Sequence, residues 1–173
     1  MTDRILAFYR REGTDDRGRT LDEIRSFDLG HLESVHDYIQ WLFSLEARSG
    51  ANPGAPTLTP ATIAAFRADS ALRSELETSF KAMLRFYGLS LTGNAESLRI
   101  DQSPDFLERS EVWLSPGNHN YLRLTRILTS LRVLGLPDHA TALLSQLELI
   151  ARTNRDVVGE ETLTFWRRAG HER

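Results

Sequence analysis

The 173-residue sequence contains no cysteine. Disulfides, zinc–thiolate centres and cysteine nucleophiles are therefore excluded. Lysine is nearly missing as well: Lys81 stands alone among 21 basic residues, the rest being arginine. Arginine pairs better than lysine with carboxylates and phosphates, but so uniform a bias reads first as the codon usage of a GC-rich genome. Long apolar runs are missing too. The stretch MTDRILAFYRREG carries charges at Asp3 and Arg4 and an apolar run only from Ile5 to Tyr9. It reads as neither a secretory signal nor a membrane span, and the cytoplasm is the expected compartment. Nor is there an excess of one charge, with 21 basic against 24 acidic residues and a net charge of −3. A surface that tracks nucleic acid throughout is disfavoured, although a local basic patch fits.

The motifs of common chemistries are also lacking. No HExxH occurs, and His31 and His36 are spaced by five where a helical zinc pair needs four. There is no nucleophile elbow, phosphate-binding loop or dinucleotide glycine pattern. The acidic stretch GTDDRGRTLDE lacks the alternating oxygens and closing glutamate of a calcium loop. No metal, no cofactor and no catalytic residue is expected, and an enzyme is the less favoured class.

What is present is helical periodicity. A 40% hydrophobic and 26% charged composition is that of a globular protein, and at this length folding buries roughly 70% of the unfolded chain's surface. Thr20 with Glu23 forms a capping box. DLGHLESVHDYIQWLF then spaces Leu32, Val35, Ile39 and Leu42 for one helical face. Residues 49–60, rich in glycine and proline, read as a loop, after which Thr59 caps a helix opening at Pro60. Asp69 caps a long helix carrying Leu72, Leu76, Phe80, Met83, Leu84 and Tyr87, closed by Gly88. Residues 89–102 hold a Gly-Asn turn between short apolar runs, the pattern of a small hairpin. Ser103-Pro104 starts a short helix through Trp113. HNYLRLTRIL opens another that ends near Gly135, Pro137 begins the next, and the tail VVGEETLTFWRRAG forms one last short helix. The expectation is an all-α single domain over 1–173, with six to eight helices and a small hairpin near 89–102.

Two constellations stand out. In HDYIQW, a helical wheel centred on Val35 and Ile39 puts His36 and Gln40 on one edge of the core, Tyr38 on the other, and Trp41 pointing away, in need of a partner: a neighbouring helix first, since one helix commonly packs on two sides, or else a ligand. In HNYLRLTRIL, cations crowd the positive end of a helix dipole. There Leu124, Ile127, Leu128 and Leu131 face inward, His119 and Arg126 face out, Arg123 lies at the core's edge, and Asn120 falls inside the apolar sector, where it needs hydrogen-bond partners. Arg123 and Arg126 must meet something negative: Glu33 or Asp37 of the HDYIQW helix as structural ion pairs, or an anionic ligand.

LESVHDYIQWLF at 32–43, LTPATIAAFRADSALRSELETSFKAMLRFYGL at 58–89 and HNYLRLTRILTSLRVLGL at 119–136 together resemble the conserved region of the opioid growth factor receptor family. FYR at 8–10 fits as well, and the resemblance covers about residues 5 to 150. The family commonly has proline where Ser44 stands here and isoleucine at Leu124, and the animal receptor's C-terminal repeats and basic targeting clusters have no counterpart in this sequence. The resemblance implies a receptor for the pentapeptide Met-enkephalin, with no catalytic residues assigned, while the compact Arg-rich chain has a bacterial character. The leading expectation is a non-enzymatic binding module for a peptide or small anionic ligand, using His36, Tyr38, Gln40, Trp41, His119, Asn120, Arg123 and Arg126. The alternative is an enzyme or binding protein for an anionic, nucleotide-like molecule using His119, Arg123 and Arg126. Nucleic acid is the weakest partner, and the oligomeric state is not legible.

Overall fold

A computed structural model of the chain describes residues 3–94 and 96–171. Among the described residues there are eleven helices and one two-stranded antiparallel hairpin, so the chain is mostly α as its periodicities predict. Eight helices have six residues or more: α1 Arg4–Tyr9, α3 Leu29–Ser34, α5 Pro60–Ala68, α6 Ser70–Tyr87, α7 Phe106–Trp113, α8 Asn120–Val133, α9 Pro137–Thr153 and α11 Glu160–His171. The others, α2 Leu21–Arg25, α4 Ile39–Leu42 and α10 Arg155–Val158, are about a single turn each. The chain divides into two compact units, one up to Ser79 and one from Phe80 onward.

In the first unit the predicted caps hold. Thr20 accepts from Glu23 N while Glu23 accepts from Thr20 N, closing the capping box of α2. Thr59 does the same for α5, with Thr62 in the role usually played by glutamate and Pro60 at the first helical position. Tyr9 is buried between elements, its ring edge-on to Phe66 at 5.1 Å and its hydroxyl donating to Leu42 O at 2.5 Å. Burial pushes its phenol pKa up to about 12, so it stays a donor at any ordinary pH.

The predicted continuous helix over 28–43 is broken. It stops at Ser34 because Val35 turns extended, with φ −91° and ψ 131°, and α4 begins only at Ile39. The break is stabilised locally. Tyr38 donates its hydroxyl to Leu32 O at 2.8 Å, satisfying a carbonyl that the end of α3 leaves open. Ser44, standing where the family commonly has proline, closes α4 by donating to Gln40 O at 2.9 Å.

Charge pairs tie this unit together. Glu75 accepts from Arg11 at 2.9 Å and from Arg25 at 2.6 Å, while Asp22 accepts from Arg11 at 2.8 Å. Hydrogen bonds from Arg11 hold Glu75 below the ordinary glutamate pKa of 4.5 and Asp22 below the ordinary aspartate pKa of 3.8. Burial pushes Asp37 up, but its hydrogen bonds from Arg19 and Arg17 outweigh this and leave it lowered. Carboxylates with depressed folded pKa values add stability that is present above their unfolded values and is lost as pH falls through the folded ones. The urea midpoint should therefore hold from pH 7 down to 5, then decline progressively below about 4.5. Glu75→Gln should lower the midpoint at pH 7 and flatten that decline; an equally steep acid limb in the variant would sink this account.

In the second unit α8, α9 and α11 pack on one another. Their inward rows include Leu124, Ile127, Leu131, Leu143, Leu147 and Trp166, each at most 1% exposed. Trp166 donates its indole N–H to Tyr121 O at 3.2 Å. The expected single tail helix is split into α10 and α11 at Gly159, whose φ of 77° ends α10. The hairpin is present: β1 Leu89–Thr92 pairs antiparallel with β2 Arg99–Gln102, Leu91 opposite Ile100. Its α7 neighbour starts at Phe106, two residues later than the Ser103-Pro104 signal implies, because Ser103 is used by the hairpin, donating its N–H to Gly88 O at 3.0 Å.

Candidate functional site

The residues singled out from the sequence fall in two groups, one in each unit. In the first unit Trp41 meets a neighbouring helix, α1, and the alternative of a Trp41 exposed to a ligand is corrected. Trp41 has no exposed surface; Phe8 lies 5.3 Å from its ring, the Arg4 guanidinium sits 4.8 Å above it, and its indole N–H points to Asp16 Oδ2 at 3.3 Å. The helical wheel failed for a geometric reason: its phase runs through Val35 to Tyr38, and the helix break resets that phase. Tyr38 is equally buried. Gln40 is 5% exposed, and turned with its amide nitrogen inward it reaches the His36 and Asp37 carbonyls at 3.2 Å. His36 is the exposed member of the group, and Glu33 is half-buried on α3.

Asp37 belongs to an arginine network beside a cleft of about 370 Å³ lined by Asp15, Asp16, Arg19, Trp41 and Asn52 among others. Asp37 accepts from Arg17 at 3.0 Å and Arg19 at 2.6 Å. Asp15, only 4% exposed, accepts from the backbone N–H groups of Arg17 and Arg19 at 2.9 Å and from the Arg19 Nε at 2.7 Å. These carboxylates are engaged by this chain's own donors, and the arrangement holds the 15–19 turn in place rather than offering open acceptors.

In the second unit His119, Asn120, Arg123 and Arg126 share the first two turns of α8. His119 occupies the cap position but caps nothing with its side chain. The capping group is Asn118, which the sequence reading did not single out: its Oδ1 accepts from Asn120 N at 2.9 Å and Asn120 Nδ2 at 3.0 Å. Its own amide nitrogen donates to Val112 O at 3.1 Å and Ser115 Oγ at 3.0 Å. The signal was available, since asparagine is among the strongest capping residues. Asn120 is fully buried and partnered, as its place in the apolar sector demands, and it accepts from Arg123 Nη1 at 3.3 Å. Arg123 is 6% exposed at the core's edge. Arg126 is half-buried, and burial lowers its pKa from the ordinary arginine value. Burial makes a guanidinium a stronger partner for an anion, because fewer waters compete.

A family model described as the opioid growth factor receptor (OGFr) conserved region matches residues 6–171. This chain belongs to that family. The match extends beyond the 5–150 stretch that carries the resemblance, through α10 and α11. The rat protein named opioid growth factor receptor is 35% identical over 144 residues, covering 80% of this chain and 24% of that protein. The human protein of the same name is 36% identical over 111 residues, 64% of this chain and 16% of its own length. A Xenopus tropicalis protein named opioid growth factor receptor-like protein 1 is 38% identical over 108 residues, 62% of this chain and 20% of its own. The chain thus spans about a quarter or less of the length of these relatives. No solved structure matches.

Within this family member, the second unit also holds a groove of about 520 Å³ between β2 and α9. Leu98, Ile100, Ala142 and Leu149 give it apolar surface, while Glu96, Asp101, Asp138, Arg99 and Gln146 give it polar surface. One hint was visible in the sequence: Leu149 lies off the inward stripe of α9, and it is 52% exposed. Among the described residues no helix is long and apolar enough to cross a membrane, and no group of three or more histidines and carboxylates is placed to hold a metal.

Proposed function

We propose that this family member is a non-enzymatic binding module that takes a peptide in the groove between β2 and α9, with the cytoplasm as its expected compartment. The groove is the observation that carries the reading. Its size lies within the usual range for ligand sites, and its lining mixes apolar surface with a few polar groups that can fix orientation. The relatives' name, opioid growth factor receptor, agrees with a ligand-binding role. Met-enkephalin is the natural first probe. Calorimetric titration should give saturable binding, and Leu149→Arg, a change at an exposed position, should weaken it about tenfold or more while leaving the melting temperature unchanged. No saturable heat, or equal affinity in the variant, would remove the groove as the site.

A second reading rests on the half-burial of Arg126 beside Arg123 and His119. These groups, at the N-terminal end of α8, would hold a phosphate or carboxylate. Urea unfolding of Arg126→Ala without ligand separates this from a purely structural cluster. A loss of about 2 kcal/mol or more, the cost of stranding a charge partner, would make the cluster architecture and overturn this reading. An unchanged midpoint, together with stabilisation of the wild type by inorganic phosphate, would favour the anion site instead.

A further inference from the structure

We propose that the cleft beside β1 is a separate site that takes a dipeptide with apolar side chains, gripping both its free ammonium and its free carboxylate. The proposal does not rest on the groove between β2 and α9. The cleft encloses about 330 Å³, at the small end of the range usual for ligand sites. Three elements wall it. Leu84 comes from α6, Leu89 and Leu91 from β1, and Ser103 and Asp105 from the turn that leads into α7. That turn is anchored at the start of the hairpin, because Ser103 N–H donates to Gly88 O at 3.0 Å.

The floor of the cleft is apolar. Leu84 is 2% and Leu89 3% exposed, so these two seal it from below. Leu91 is half-buried and is the leucine left with surface to cover. In such a site the apolar part of a ligand supplies affinity, and a few polar groups at the rim fix its direction.

The rim carries charge of both signs, on different walls. Lys81 and Arg85 lie four residues apart on α6 with Leu84 between them, so they share one face. Both already have contacts within the chain. An ammonium has three donors and a guanidinium five, so a ligand carboxylate can be added to those contacts. Asp105 stands on the wall made by the turn. It occupies the N-cap position of α7 without capping it, and among the described residues its carboxylate accepts only from the Ser103 hydroxyl, at 2.6 Å. One hydroxyl leaves most of the acceptor sites of a carboxylate open and its charge unpaired. A purely anionic ligand would be repelled by Asp105, and a purely cationic one by Lys81 and Arg85. An ammonium at one end, a carboxylate at the other and apolar side chains between them suit the whole lining at once. A dipeptide has that form. In a long peptide the two ends lie too far apart to share a cleft of this size.

The test is an NMR titration of the full chain with the dipeptide Leu-Leu. Binding should saturate and should move the amide signals of Leu91, Ser103 and Asp105, leaving those of Ala142 and Leu149 in place. Acetylating the amino end should weaken binding about two- to fivefold, the scale of an exposed ion pair, and so should amidating the carboxyl end. Gly-Gly should not bind measurably, because it has no apolar surface to bury. Asp105→Asn can still accept from the Ser103 hydroxyl and should melt as the wild type does. In that variant the free and acetylated peptides should bind equally, since the charge that tells them apart is gone. Arg85→Gln should likewise narrow the gap between the acid and its amide. Leu149→Arg, which blocks the other groove, should leave Leu-Leu binding unchanged. Absence of saturable shifts, equal binding of the free and acetylated peptides by the wild type, or a difference between them that survives Asp105→Asn would overturn the proposal. Loss of Leu-Leu binding in Leu149→Arg would overturn it by moving the dipeptide to the β2–α9 groove. Movement of the same signals with protein concentration alone would give the cleft to a second copy of the chain and overturn it as well.

Discussion

Trp41→Ala should cost about 3–5 kcal/mol in urea unfolding, the range for deleting a large buried aromatic. Trp41 is among the largest fully buried side chains, and its removal takes away the ring that Phe8 and the Arg4 guanidinium contact. It also strips the indole donor from Asp16. Trp41→Phe keeps most of the packing and should recover roughly half of the loss, leaving the missing N–H and the smaller volume as the remainder. A Trp41 held outward for a ligand, the alternative the sequence wheel leaves, predicts a nearly neutral alanine variant. A loss below about 1 kcal/mol would support that wheel and count against the helix break at Val35.

Gly88→Ala should cost about 3 kcal/mol, through two separate effects. Gly88 has φ 71°, a left-handed conformation that side chains make unfavourable by roughly 1 kcal/mol. A Cβ there would also lie 2.8 Å from both Phe106 Cα and Arg109 Cβ, and the first of these is backbone that cannot rotate away. Overpacking of that kind typically adds about 1–3 kcal/mol. Gly88 ends α6 and its carbonyl receives Ser103 N–H, so the damage should reach the hairpin. Loss of the cross-strand contacts between Leu91 and Ile100 in NMR spectra would report it. Gly117→Ala offers a comparison: its φ is 69° but, among the described residues, no atom beyond its chain neighbours lies within 4 Å of the added Cβ, so only the conformational cost of about 1 kcal/mol should appear. Equal losses at Gly88 and Gly117 would show that the close approach to α7 has no weight.

Local rules in the sequence determined most of the elements. The capping boxes at Thr20 and Thr59, the prolines at 60 and 137, the stop at Gly88 and the hairpin turn each act within a few residues, so neighbouring side chains are enough to specify them. The same is true of Asn120 and Arg123, whose burial and need for partners follow from their place on the wheel of one unbroken helix. The family, too, was legible, because HDYIQWLF and the R-x-T-R-I-L pattern are stretches of sequence. Tertiary structure decided the rest. Whether 28–43 is one helix or two depends on Tyr38 finding the Leu32 carbonyl and on Asn52 donating to the Asp37 carbonyl from a loop fifteen residues away. Once that break forms, Trp41, which the unbroken wheel points away from the Val35–Ile39 face, is buried against Phe8, while Ile39 and Leu42 stay inward as predicted. The groove between β2 and α9 joins segments some forty residues apart. Periodicity describes one element against an unspecified core. It carries no information about which second element supplies the hydrogen bonds, and in this chain those bonds set both the helix break and the shape of the site.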